Sequence, residues 1–152
     1  MMRLSAMLVL VLFVLVGFTR SSDAHCQIPC GIYDDAARVK MIREDIVTIT
    51  KSVKEIGALA GKRDAQSANQ LTRWVMNKEH HAEKIIRTIS DYFMAQKIKP
   101  VGSKDKKAAA YLESLSRHHA VMVGAMKCKQ SASMEDVKAL AKAVDAIAGY
   151  WK

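Results

Sequence analysis

Proline occurs only twice in the 152 residues, at Pro29 and Pro100, and glycine seven times. A chain so poor in turn-formers is not a collagen-like, low-complexity or many-turned all-β protein. Aromatic residues make up 6% of it, too few for a platform on which nucleic-acid bases stack. No apolar run reaches the ~20 residues that span a bilayer. The longest, Met7 to Phe18, is shorter and sits near the start. The three cysteines contain no Cys-x-x-Cys and no Cys-x-x-Cys-His, which excludes the thiol-oxidoreductase and haem-attachment patterns. Glu-x-x-His is also absent, and with it the di-iron bundle signature. Neither an internal repeat nor a low-complexity segment is present.

Acidic residues are the scarcer charge, 15 against 24 Lys and Arg. The lysines are scattered over every segment, so the excess reads as a solvated surface with some attraction for small anions rather than a nucleic-acid stripe.

The opening residues have a familiar order. Arg3 precedes the apolar run, and Thr19-Arg20-Ser21-Ser22-Asp23-Ala24 follows it, with small residues one and three places before a cut after Ala24. This pattern predicts a secretory signal over 1–24, removed by a signal or maturation peptidase, with no membrane segment in the mature form. The mature chain then begins at His25 and carries 22 basic against 14 acidic residues, a net +8.

From His25 to Lys152 the chain suits one domain. Asp34 and Asp35 offer an N-cap, and Val39, Ile42, Ile46, Ile49, Val53 and Ile56 recur at helical spacing, with Gly57 as the expected stop. A polar connection over 57–66 leads to a second stripe of Leu71, Trp74, Val75, Lys78, Ala82, Ile85, Ile89, Tyr92 and Phe93. In it the aliphatic stem of Lys78 is expected to lie over the apolar edge. After the break at Pro100-Val101-Gly102-Ser103, a third helix starts near Lys104, with Ala108, Leu112, Leu115, His119, Met122 and Met126 inward. Ser133 to Asp136 reads as a capping box opening a fourth helix, which turns Val137, Leu140, Val144, Ile147 and Trp151 inward. The fold class expected is all-α, an up-and-down four-helix bundle over 34–152.

Chemistry concentrates in 25–33, His25-Cys26-Gln27-Ile28-Pro29-Cys30-Gly31-Ile32-Tyr33. Once Ala24 is removed, the His25 amine, the Cys26 amide and the Cys26 thiolate lie along one piece of chain and close adjacent chelate rings. A turn at Pro29 and Gly31 returns Cys30 as a second sulfur. That N2S2 set favours a square-planar ion, Ni(II) or Cu(II), over tetrahedral zinc. Thiolates reduce Cu(II), which makes nickel the better candidate. The competing reading is a local Cys26–Cys30 disulfide in an exported helical binding or stress protein without metal.

His-Cys-x-x-Pro-Cys-Gly-x-Tyr at a processed terminus resembles the hook of the nickel superoxide dismutase family. The resemblance continues through Thr72-Arg73, Lys78-Glu79, Ala82-Glu83, Ser90-Asp91-Tyr92-Phe93 and Trp151. It implies a homohexamer that converts superoxide to oxygen and hydrogen peroxide by Ni(III)/Ni(II) cycling. His25, Cys26 and Cys30 are the implied metal residues, the His25 imidazole being axial in the oxidised state, and Tyr33 stands beside the open face. Two positions that orient the axial imidazole in some members align with Met41 and His81, so His81 is the candidate substitute there. Gln27 stands where many relatives carry Asp. The leader implies a periplasmic or secreted protein, or a cytoplasmic one if it serves only as a pro-segment.

His80-His81 and His118-His119 offer a rival metal site, but adjacent residues point about 100° apart, so each pair supplies at most one inward ligand. His80, His118 and His119 are expected at the surface or in helix contacts. The methionines are expected as core filler, and Cys128 as a passive thiol.

Overall fold

The computed structural model describes Asp35 to Trp151, all helix and connection, without strands. Helix α1 runs Asp35–Leu59 and α2 Ala65–Arg87, the latter continuing directly into a π-helical segment Thr88–Lys97; α3 is Ala108–Gln130 and α4 Met134–Ala148. Helix α1 packs against α2 and α4, and α3 against the same two, which closes the ring of an up-and-down bundle.

The α1 stripe holds at every position: Val39, Ile42, Ile46, Ile49, Val53 and Ile56 are all buried. Gly57 does not end the helix, which runs on to Leu59 before Lys62 N–H closes a turn on the Leu59 carbonyl at 3.0 Å. The apolar stripe stops at Ile56, but nothing at Gly57 forces the backbone out of helical geometry. Thr48, Thr50 and Ser52 return their hydroxyls to carbonyls four residues back, so these poor helix-formers leave no polar group unpaired. Ser52 also accepts from the Asn77 amide at 3.1 Å, a polar tie between α1 and α2.

Helix α2 begins at Asp64, whose carboxylate accepts from Ser67 N–H and O–H at 2.9 and 2.6 Å. The second stripe buries from Lys78 onward, through Ala82, Ile85, Ile89, Tyr92 and Phe93, while its first turns stay open and Val75 is exposed. Lys78 does more than lay its stem over an edge. It is 3% exposed, and its ammonium donates to the Cys128 and Lys129 carbonyls at 2.5 and 2.6 Å and to Glu79 Oε1 at 2.9 Å. Those two carbonyls belong to the last turn of α3, where no intrahelical donor remains, so Lys78 caps the end of a neighbouring helix.

The inward face of α3 differs from the expected one by a single residue. Ser114, His118, Val121, Ala125 and Cys128 are buried, whereas His119 is exposed, Leu112 is 62% exposed and Met126 41%. One residue turns a helix by about 100°. Where α4 comes close the helix carries glycine: a Cβ on Gly124 would stand 3.3 Å from Leu140 Cα. The larger side chains were therefore a poor guide. Met94, Met122 and Met134 pack against the core as filler, but Met41, Met76 and Met126 do not. Helix α4 starts as expected, with Ser133 Oγ accepting from Glu135 and Asp136 N–H at 3.1 and 3.4 Å and Val137, Leu140, Val144 and Ile147 buried. The capping box does not close, since Asp136 accepts from Ser131 O–H and Ser133 N–H donates to Ser131 Oγ. Trp151 packs on the core from beyond the helix end at Ala148.

Candidate metal centre

The hook residues His25, Cys26, Cys30 and Tyr33 lie outside the described residues, as does the leader. What the structure describes is the surface from which the hook departs. Asp35, the first residue of α1, is tied through both carboxylate oxygens to the π segment. Tyr92 O–H donates to Oδ1 at 2.5 Å and Lys97 Nζ contacts Oδ2 at 2.8 Å. Partial burial alone would raise the Asp35 pKa; the bonds from Lys97 and Tyr92, with the Lys97 charge, outweigh it and hold the carboxyl below its ordinary value. The Arg38 guanidinium lies 5.4 Å from the Tyr92 ring centre, within cation–π range.

Deeper in the bundle, Asp45 is 4% exposed and accepts on Oδ1 from His81 Nδ1 at 2.6 Å and Lys84 Nζ at 2.7 Å. His81 is thus partnered by a carboxylate one helical turn beyond Met41. Met41 is 44% exposed, with its sulfur 3.8 Å from an Arg38 nitrogen. The relation of His81 to His25 lies outside the described residues. Asp45 was not among the candidates, yet its signal was present: it is a charge lying beside Ile42, Ile46 and Ile49 on the apolar face of α1.

The rival histidine site does not form among the described residues. His118 is fully buried in a helix contact, and both its nitrogens are engaged. The Trp151 indole N–H, which only donates, reaches Nε2 at 2.9 Å. Nδ1 therefore carries the proton and donates to the Ser114 carbonyl at 2.7 Å. Burial lowers the His118 pKa, against the opposing pull of that carbonyl. Phe93 and Trp151 stack beside it at 4.7 Å between ring centres. His81 is bound to Asp45 instead, and no group of three His, Cys, Asp or Glu among the described residues is placed to hold a metal ion. Cys128 is buried and unpaired, and burial pushes its thiol up to about 11.

No described helix is long and apolar enough to cross a membrane. Comparison with curated proteins and with solved structures finds no match. The nickel-containing superoxide dismutase family matches residues 20–152, a span that takes in all four helices and the thiol-bearing stretch before them. The chain therefore belongs to the nickel-containing superoxide dismutase family, as an oxidoreductase that acts on superoxide with a nickel cofactor.

Proposed function

We propose that the nickel is held by the N-terminal hook, with His25, Cys26 and Cys30 as its ligands and Tyr33 beside the reacting face. The observation that carries this reading is the donor set itself: a terminal amine, a main-chain amide and two thiolates within six residues of the matched region. Such donors suit a metal that accepts planar nitrogen and sulfur ligation. Bound there, nickel supplies one-electron redox chemistry. The thiolates of Cys26 and Cys30 provide the electron-rich donation that brings its potential into range. The freed amine of His25 completes the chelate, which is why removal of Ala24 matters. The Tyr33 hydroxyl orients water or the incoming anion by hydrogen bonding. Nothing in the comparisons favours the metal-free disulfide alternative.

Two further parts of the reading concern the mature protein. Export, periplasmic or secreted, with cleavage after Ala24 rests on the order of the opening residues: Arg3, the apolar run Met7 to Phe18, and small residues one and three places before the cut. Assembly into a homohexamer rests on the family resemblance alone. Light scattering of the mature protein at the mass of six chains supports the second, and a monomer refutes it.

The test of the hook is nickel content in Cys26→Ser and Cys30→Ser variants after anaerobic loading. Loss of both nickel and dismutation is expected. Retention of either by both variants sinks the assignment.

A further inference from the structure

The hook is joined to the bundle through Asp35, and both oxygens of that side chain are held by one element, the π segment Thr88–Lys97. The grip depends on the segment being π-helical. Tyr92 and Lys97 are five residues apart, and in an α-helix such a pair points about 140° apart. The i→i+5 ladder brings residue i+5 back over residue i. The ladder closes where Ile98 N–H donates to the Phe93 carbonyl at 2.9 Å. Tyr92 and Lys97 consequently meet one carboxylate from one side. Phe93 beside them is fully buried, in ring contact with Trp151 and His118, so the segment is itself fixed in the core.

Distance along the chain gives this grip its consequence. Only Asp34 separates Asp35 from Tyr33, and two residues of chain reach at most about 7 Å. Cys30 is five residues from Asp35, within about 18 Å. Whatever fixes Asp35 therefore limits where Tyr33 and Cys30 can be. An anchored root lowers the entropy lost when the hook closes around an ion.

We propose that Asp35, Tyr92 and Lys97 are positioning residues that clamp the root of the hook and thereby set its nickel affinity. This rests on the hook assignment above. None of the three is asked to touch the metal or the substrate. The clamp acts by limiting the hook's freedom before metal arrives.

The test uses the mature chain and reads nickel affinity by anaerobic competition with a chelator, together with the nickel–sulfur charge-transfer absorption of the loaded form. Asp35→Ala and Lys97→Met are each expected to weaken nickel binding about 10- to 100-fold, the range for residues that orient metal ligands. The double variant should lose no more than Asp35→Ala alone, since Asp35→Ala already removes the contact that Lys97→Met breaks. Lys97→Arg should recover most of the affinity. Lys97 sits at the end of its segment with its side chain 37% exposed, so Lys97→Met should leave the metal-free Tm within about 3 °C of wild type. Affinities within twofold of wild type, with unchanged absorption, overturn the inference while the hook assignment stands. Additive losses in the double variant overturn it too. A wild-type chain that takes up no nickel overturns the hook assignment and this inference with it.

Discussion

Replacing Lys78 by Met keeps most of the stem's volume and removes only the ammonium, so the perturbation isolates the cap on α3. In the native chain that ammonium satisfies the Cys128 carbonyl at 2.5 Å, the Lys129 carbonyl at 2.6 Å and Glu79 Oε1 at 2.9 Å. Glu79 is partly exposed and takes up water at little cost. The Cys128 carbonyl is buried, and leaving a buried acceptor unpaired costs about 1–3 kcal/mol. The Lys129 carbonyl is partly buried and loses less, while removing a cation from a helix C-terminus adds about 0.3–1 kcal/mol. Burying an ammonium is itself expensive, and replacing a whole buried ion pair with apolar groups is often neutral. Here only one side is removed and the carbonyls stay, so the unpaired acceptors decide the sign. The expected loss is about 2–4 kcal/mol, lowering Tm by about 10 °C. Denaturant unfolding of the metal-free mature chain measures it. Lys78→Gln, which keeps one donor, should fall between the two. A Lys78→Met stability within about 0.5 kcal/mol of wild type would refute the reasoning, by showing that the cost of burying the ammonium cancels what it satisfies.

His118 is neutral in the fold and its pKa is lowered from 6.5, so the unfolded chain binds the extra proton first and stability falls as pH drops below about 6.5. Unfolding free energies between pH 5 and 8 should show that decline in wild type and a flatter profile in His118→Phe; identical profiles would contradict it. Cys128, buried and with its thiol raised to about 11, should resist alkylation at pH 8 in folded Cys26→Ser/Cys30→Ser protein and react once the chain is denatured. Rapid labelling of the native form would contradict that. If the net positive charge helps capture superoxide, kcat/KM should fall as ionic strength rises, and a flat response would remove steering from the account.

Most of the bundle was legible because α1, the later turns of α2, and α4 bury large apolar residues at a regular period. Ile42, Ile49, Ile85 and Leu140 are all fully inside. Helix α3 was misread by one residue because Ser114, His118 and Ala125 carry much of its inner face, and hydropathy weights these less than the Leu112 and Met126 beside them. The π segment carries no periodic mark of its own, as Ile89, Tyr92 and Phe93 fit the α-helical stripe. The polar interior was the hardest part to read. Asp45 and Lys78 look misplaced on apolar faces until their partners are known, and those partners, His81, Lys84 and the carbonyls of Cys128 and Lys129, lie on other helices. The hook reading rests on residue order alone, and its residues lie outside the described ones.

The central claim is that a freed His25 amine and two ionised thiols make a nickel site. Metal analysis of native protein together with identification of its first residue tests it most directly. The expected result is about one nickel per chain on a chain that begins at His25. A fully active protein that begins upstream of His25, or one without nickel, would contradict it.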